Sequence, residues 1–287
     1  MRAIIGRELR SYFSSPLGYA FTAVVLLFVG IFTMVYNLKN FLSAFELSLG
    51  QMSFVYIIAI PILTMRIIAE EKRQKTDRLL YSLPMGMTRI VFGKYFSALV
   101  VLALPVAITG LYPLILSLYG EINFLSAYGS IVGFFLLGAA IIAIGLFVSS
   151  VTESQVVAAV LSFVILLSNF FISDLANMMS LSAVTSYVAI AIAIIALAVI
   201  IRFLVKSGVF ATIFAIICEI GLVVLFMMSR TSFEGLFPKI LKGFSLFNRF
   251  YSFIGGIFDI TSVVYFVMVS LIFVFLTIQS LERRRWN

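Results

Sequence analysis

The sequence has no histidine and a single cysteine, Cys218, among its 287 residues. Without histidine, His-based metal ligation, Ser-His or Cys-His nucleophilic pairs and a histidine proton relay are excluded. One cysteine excludes an internal disulfide and a multi-cysteine metal site. The Gly-x-x-x-x-Gly-Lys-Ser/Thr pattern of a phosphate-binding loop is also missing, so the chain cannot hydrolyse ATP by that route. We therefore expect no catalytic residues, no bound metal and no cofactor in this chain.

Charge is scarce as well: 11% of the residues are charged and 63% are hydrophobic, and the mean hydropathy is +1.18. This composition places the chain among integral membrane proteins, and we predict an all-α, polytopic helical bundle that forms one transmembrane domain over residues 1–287. The net charge of +8 fits basic loops at the cytoplasmic face and anionic lipid headgroups. Nucleic acid is therefore not an expected partner.

Apolar segments long enough to cross a bilayer recur along the chain. The predicted spans are residues 17–36, 53–69, 95–118, 126–148, 156–173, 187–205, 209–229 and 262–281. The first apolar run is too long for a signal peptide and is interpreted as a retained span. If residues 187–229 formed a re-entrant hairpin, six spans would remain instead of eight.

The distribution of arginine and lysine predicts the orientation of these spans. With the N-terminus inside, 15 of the 20 basic residues fall on the cytoplasmic side and five fall outside. This bias predicts that both termini are cytoplasmic and that the number of spans is even. The expected location is the cell membrane, as a multi-pass protein in contact with the lipid bilayer.

Residues 1–16 have the pattern of a short amphipathic helix. Apolar residues recur at intervals of three or four, with charged and small polar residues between them. The candidate interfacial residues are Arg7, Leu9, Arg10, Tyr12 and Phe13. We predict a helix that lies in the cytoplasmic interface and ends at Pro16, although packing against the protein's own loops remains an alternative.

Residues 231–261 form the one sizeable outer region between predicted spans. Ile240, Phe244, Phe247, Tyr251 and Ile254 follow each other at spacings of three or four residues. The pattern predicts short amphipathic helices on the outer face of the membrane. They are interpreted either as a lid over an exit path or as a structural cap.

Two polar residues inside predicted spans are candidates for an intramembrane role. Glu219 lies midway along the seventh span, where an ionised carboxylate costs roughly 2.5 kcal/mol or more. It is expected to bind substrate or carry a proton, or else to stay protonated and bond a neighbouring helix. Asn169, in the fifth span, fits interhelical hydrogen bonding at least as well as a site.

Residues 70–94 stand out because the stretch from Ala69 to Tyr95 holds nine of the 32 charged residues. Thr76 or Asp77 can cap a short helix from Arg78 to Leu83, and Thr88 can cap the helix that follows. Exposed leucines within a charged loop favour docking of a soluble partner over simple anchoring to lipid headgroups. The candidate docking residues are Glu70, Glu71, Lys72, Arg73, Thr76, Asp77, Arg78, Leu79, Leu80, Leu83 and Pro84.

The same loop resembles the loop after the second span in type 2 permeases of ATP-binding cassette (ABC) exporters. That loop typically reads EEK, GT, E, LL, P and GK. The matching residues here are Glu70-Glu71-Lys72, Thr76, Leu79-Leu80, Pro84 and Gly93-Lys94. The last residues, including Asp259, Tyr265 and Arg283-Arg284-Arg285-Trp286, resemble the closing segment of gliding-motility and nitrous-oxide-reductase maturation permeases. The middle of the chain matches mainly in hydropathy.

The resemblance implies a dimeric permease subunit, a homodimer or a heterodimer with a second permease. It also implies a separate ATPase, which binds ATP and Mg²⁺ and docks on a coupling helix at residues 78–83. Lys75 stands where the family usually has glycine, and Arg78 stands where it usually has glutamate. Two other functions stay open, a gradient-driven secondary transporter that uses Glu219 and a non-transporting membrane scaffold or sensor.

Overall fold

The computed structural model describes residues 2–40, 42–76, 86–205 and 208–286, and helices are the regular elements in these ranges. The α-helices are α1 Arg2–Ser14, α2 Pro16–Phe32, α3 Phe45–Met52, α4 Val55–Thr64, α5 Ala69–Arg73, α6 Met87–Thr109, α7 Tyr112–Leu116, α8 Phe124–Val151, α9 Gln155–Met178, α10 Ala183–Val205, α11 Gly208–Met228, α12 Leu236–Phe244, α13 Leu246–Ile254 and α14 Ile260–Trp286. A π-helical stretch, Thr33–Lys39, prolongs α2, and a 3₁₀ turn, Arg230–Phe233, precedes α12. The predicted all-α class is confirmed.

The chain divides into two compact units. The larger unit comprises Met1–Phe170 and Leu246–Asn287, and the smaller unit comprises Phe171–Ser245. The boundary falls within α9. Each unit has its own cluster of buried apolar side chains, and each is described separately below.

The larger unit is built around α8. In the most apolar window of α8, 78% of the residues are buried, against 28% for the helix Pro16–Lys39 and 22% for α14. Helices α3, α4, α6, α13 and α14 pack against it. Because α8 is apolar on all sides, it can be surrounded by other helices, whereas α2 and α14 keep one face exposed.

Small residues let neighbouring helices approach α8 closely. A Cβ atom added at Gly145 would lie 2.2 Å from Thr64 Oγ1 of α4. Comparable close approaches occur at Gly138, against Leu102 and Tyr56, and at Gly133, against Phe253. Small residues are typical of close helix contacts in membranes, and these glycines make such contacts.

Helices α3 and α4 form a bent pair with an angle of 57° at the break between Met52 and Val55. Ser53 closes the turn, since its Oγ donates to Gly50 O at 2.8 Å. On the α3 side, Ser48 Oγ donates to Asn37 Oδ1 at 2.6 Å, and Asn37 Nδ2 donates to Leu42 O at 2.7 Å. These buried bonds fix the connection between the end of α2 and α3.

The predicted outer region contains two short helices, α12 in the smaller unit and α13 in the larger unit. In α13 the buried residues are Leu246, Phe247, Phe250 and Phe253. Phe250 lies 5.9 Å from the Phe134 ring of α8, between ring centroids. Of the apolar residues in the predicted pattern, Ile240, Phe244 and Tyr251 are 40%, 65% and 42% exposed. Their position on the outer face of the membrane stays a prediction.

Helix α14 begins at a side-chain cap. Asp259 Oδ1 accepts a hydrogen bond from Thr261 N at 2.9 Å, and Oδ2 accepts one from Ser262 Oγ at 2.7 Å. The hydrogen bonds hold the pKa of the Asp259 carboxyl below its usual range, and the bond from Ser262 contributes most. The final apolar helix therefore starts where the sequence offers an acidic cap.

The smaller unit has a modest core, in which Ala183, Leu222 and Phe233 are buried. Its helices α10 and α11 pack together, and the Tyr187 and Phe226 rings contact each other at an interplanar angle of 40°, with centroids 4.8 Å apart. Gly235 N donates to Leu181 O at 2.9 Å, and Gly235 has φ of 66°, a left-handed conformation that glycine adopts without strain.

Five helices in the described ranges are long and apolar enough to cross a membrane, and the number rises to seven if each of two bent pairs counts as one span. The multi-pass character of the protein is thereby supported. The predicted number of eight spans, its alternative of six and the orientation of the termini are not confirmed and stay predictions.

Candidate functional site

A buried lysine lies where three segments of the larger unit meet. The Lys94 side chain, in the second turn of α6, is 2% exposed. Its Nζ lies 2.7 Å from Glu71 Oε1, 3.3 Å from Glu8 Oε1 and 2.8 Å from the carbonyl oxygen of Ile67. The ammonium group thus contacts α1, the turn after α4, and α5 at once.

Arg7 completes this arrangement, which we call the charge cluster: Arg7, Glu8, Glu71 and Lys94. Arg7 Nη2 lies 2.8 Å from Glu8 Oε1 and 3.2 Å from Glu71 Oε1. The hydrogen bond to Glu8 raises the pKa of the Arg7 guanidinium, so the group stays cationic. Two cations and two carboxylates therefore balance, which a buried ammonium group requires, since an unpaired buried ion costs several kcal/mol.

Helix α5 is also bonded to the end of α8. Ser149 Oγ accepts hydrogen bonds from Ile68 N at 3.2 Å and Ala69 N at 3.0 Å, which satisfies backbone donors at the start of α5. Lys72 Nζ donates to the carbonyl oxygen of Ser150. A cation at the C-terminal end of α8 is favoured by the helix dipole. The 66–76 segment is thus held from two sides.

The backbone at the C-terminus of α5 explains why glycine is usual where this chain has Lys75. Lys75 N donates to Lys72 O at 3.1 Å, and Thr76 N donates to Glu71 O at 3.0 Å, the pattern of a Schellman motif. Lys75 has φ of 57°, a left-handed conformation. Glycine adopts this conformation without strain, and lysine keeps the motif at some cost.

The predicted interfacial helix packs on α6. Gly93 allows this contact, because a Cβ atom there would lie 2.9 Å from Ile4 Cγ2. Ile4 and Tyr12 are buried, whereas Leu9 and Phe13 are half-buried and Arg10 is exposed. Burial raises the pKa of the Tyr12 hydroxyl, which donates to Leu63 O at 3.5 Å. One face of α1 therefore packs on helix α6, not on loops as in the alternative, and a position in the cytoplasmic interface stays a prediction.

A cleft of about 720 Å³ opens beside the charge cluster, between α1 and the 66–76 segment. Arg66 lines it and binds Glu70 through two contacts, Nε to Oε2 at 2.6 Å and Nη2 to Oε1 at 3.2 Å. The Gln74 side chain donates to Glu70 Oε1 at 3.1 Å. The walls of the cleft are thus formed by paired charges.

The structure brings together only part of the predicted docking surface. Glu70, Glu71, Lys72 and Thr76 lie in or beside the cluster, and Arg73 is exposed nearby. The predicted helix from Arg78 to Leu83 lies outside the described residues, together with Asp77 and Pro84, and so do Leu79 and Leu80. The following helix is capped at Gly86, not at Thr88 as predicted, because α6 already begins at Met87.

The two intramembrane candidates lie apart from the cluster in the chain. Asn169 Oδ1 accepts a hydrogen bond from Leu246 N at 2.9 Å, at the start of α13. Glu219, in α11 of the smaller unit, is half-buried, and its Oε1 oxygen is buried without a hydrogen-bond partner in the described part of the chain. A role of either residue in transport stays a prediction.

Sequence reasoning did not include Glu8, Arg66 and Lys94 among the site residues. The sequence does contain a signal for Lys94. It is a cation near the start of an apolar helix, and a buried cation there needs a carboxylate partner. Its partner Glu8 is the one acidic residue of α1. The third span is predicted from residue 95 and its helix from Thr88, and in the structure this helix is α6, which begins at Met87 and includes Lys94.

The apolar helices and the paired charges at one end of the larger unit define a multi-pass membrane protein. A family model described as ABC-2 family transporter protein matches residues 41–201, more than half of the chain. The chain therefore belongs to the ABC-2 transporter family and is a permease of an ABC transporter. No curated protein and no solved structure matches the chain. The predicted subgroup of permeases stays a prediction.

Proposed function

We propose that this permease exports a substrate across the cell membrane and is driven by a separate ATPase that docks on residues 70–94. The observation that carries this proposal is the bonding of the 66–76 segment to three helices. Lys94 and Arg7 connect this segment to α6 and α1, and Lys72 connects it to the end of α8. ATP and Mg²⁺ would be bound by the partner.

These contacts suit the transmission of force. A push on the loop by a closing ATPase reaches α6 and α1 through charge-assisted hydrogen bonds, which are stronger and more directional than neutral ones. It reaches α8 through Lys72 and Ser149. Since α8 is the most buried helix of the larger unit, a displacement there repacks several neighbours at once.

The finer features of the proposal come from the sequence. The basic-residue bias supports cytoplasmic termini and a cytoplasmic loop at residues 70–94. The resemblance of the last residues supports membership in the gliding-motility and nitrous-oxide-reductase maturation subgroup, and the resemblance of the loop supports a homodimer or heterodimer of permeases. In this arrangement residues 1–16 lie at the cytoplasmic interface, and residues 231–261 lie on the outer side.

A binding experiment tests ATPase docking. Leu80→Asp places a charge in the predicted docking surface and should prevent co-purification of an ATP-binding subunit with the chain. Ser154→Asp is the matched control, because Ser154 is exposed in the loop between α8 and α9 and an aspartate can keep its bond with Val157 N. Retention of the ATPase by Leu80→Asp would overturn docking at this surface.

A gradient-driven mechanism is the alternative that one observation favours, the buried Glu219 Oε1 without a partner in the described ranges. A proton carrier needs a carboxyl group that can change its protonation state. This alternative predicts that Glu219→Gln abolishes proton-coupled uptake while the partner ATPase is dispensable. Transport that requires ATP and survives Glu219→Gln would exclude it.

A further inference from the structure

Two cavities of the larger unit meet at one residue. Leu17, in the first turn of α2, lines both the charged cleft beside α1 and an apolar groove of about 210 Å³ between α2 and α4. The groove is lined by apolar side chains alone, among them Ala20, Phe28 and Ile58. A charged cavity next to an apolar one has the outline of an amphipathic ligand.

The two arginines of the cleft are more exposed than its three acids. The side chains of Arg7 and Arg66 are 56% and 35% exposed, whereas those of Glu70, Glu71 and Glu8 are 27%, 20% and 13% exposed. In the described part of the chain, the bonds of the two arginines use Nη2 of Arg7 and Nε and Nη2 of Arg66. Their remaining N–H groups can bind the oxygens of a phosphate.

The apolar groove between α2 and α4 faces the region that lipid chains occupy. Val24, Ile58 and Ile62 on its rim are 42%, 53% and 46% exposed, and they belong to helices whose length and composition suit a membrane. The groove begins at Leu17 and Leu63, where the apolar parts of α2 and α4 end and charged residues begin. This is the level at which a phospholipid changes from headgroup to acyl chain.

From these observations we propose that the chain binds one anionic phospholipid, with its phosphate at Arg7 and Arg66 and an acyl chain between α2 and α4. Both guanidinium groups favour a headgroup with net negative charge over a zwitterionic one, whose own cation would lie close to them. The bound lipid connects α1 to the end of α4. The proposal does not depend on which ATPase drives the permease.

Native mass spectrometry of the full-length chain tests this site. The detergent-purified protein is incubated with phosphatidylglycerol, with phosphatidylcholine of the same chains, or with glycerol phosphate. We expect phosphatidylglycerol to be retained roughly tenfold better than phosphatidylcholine, because the choline cation of the latter would lie close to the two guanidinium groups. Equal retention of the two lipids would overturn the anionic headgroup, and displacement of phosphatidylglycerol by glycerol phosphate would show a site for a free phosphate instead.

Two kinds of variant separate the headgroup from the chain. Arg66→Gln should lower retention of phosphatidylglycerol, with Arg89→Gln, an exposed arginine elsewhere, as its control. Ala20→Phe fills the groove from an exposed position and should lower retention of both lipids, with Val100→Phe, on a 47% exposed residue of α6, as its control. Unchanged retention of the lipids by Ala20→Phe would overturn the acyl-chain site. A change in the oligomeric state of that variant would also overturn it, because the groove would then be an interface between copies of the chain.

Discussion

Lys94 of the larger unit and Glu219 of the smaller unit are both ionisable residues in apolar helices. They differ in whether the side chain has a partner. Lys94 Nζ contacts two carboxylates and a carbonyl oxygen, whereas Glu219 Oε1 is buried without a partner in the described ranges. A paired charge in such a helix therefore holds segments together. An ionisable group without a partner makes no such connection and is costly to bury in its charged form.

Removing the paired charge should have the largest effect. Lys94→Met leaves the carboxylates of Glu8 and Glu71 with Arg7 as their remaining partner in the charge cluster, and we expect the free energy of unfolding to fall by about 3–5 kcal/mol. Thermal unfolding of the detergent-purified protein measures this. Lys39→Met, at an exposed lysine, is the control. A loss for Lys94→Met no greater than for the control would show that the cluster is not structural.

The two units should also differ in their tolerance of added volume. In Gly145→Ala the new Cβ meets Thr64 Oγ1 at 2.2 Å, which we expect to cost about 1–3 kcal/mol of unfolding free energy through overpacking. In Gly221→Ala, in α11 of the smaller unit, the new Cβ meets no described atom within 4 Å. That variant should be neutral or stabilised by about 0.5–1 kcal/mol, because alanine favours helix. Equal effects in denaturant unfolding would contradict the comparison.

A smaller effect is expected at the end of α5. Lys75→Gly should raise the free energy of unfolding by about 1 kcal/mol, since a left-handed lysine costs about 1–2 kcal/mol and part of that gain is lost to glycine's entropy. Arg73→Gly, within α5, should instead destabilise by about 1 kcal/mol. A shift of the unfolding temperature in the same direction for both variants would argue against the Schellman motif.

The smallest effect is expected at the unpaired charge. Glu219→Gln keeps the shape of the side chain and breaks no ion pair in the described part of the chain, so we expect a change below about 0.5 kcal/mol in unfolding free energy. The same measurement on Glu71→Gln, which weakens the charge cluster, should show a clear loss. A large loss at Glu219 would reveal a partner for this carboxyl group and remove the contrast with Lys94.

The sequence predicts the helices well because hydropathy reports directly on burial in a membrane. The close packing at Gly145 was also predictable, since small residues mark helix contacts. The charge cluster was not, because Glu8, Glu71 and Lys94 lie far apart in the chain and their proximity depends on how α1 packs over Gly93. The buried side of α13, with Phe250 and Phe253, was not predicted, because an apolar residue of a short helix can face either the membrane or the protein.

Photo-crosslinking tests whether a separate ATPase docks on residues 70–94. A photoreactive phenylalanine analogue is introduced in place of Leu80, and in place of Tyr119, which is 81% exposed beyond α7, at the other end of the apolar helix Met87–Leu116. Irradiation of the complex should join an ATP-binding subunit to position 80 and not to position 119. An ATPase that co-purifies but crosslinks at position 119, or at neither position, would show that it does not dock on this loop.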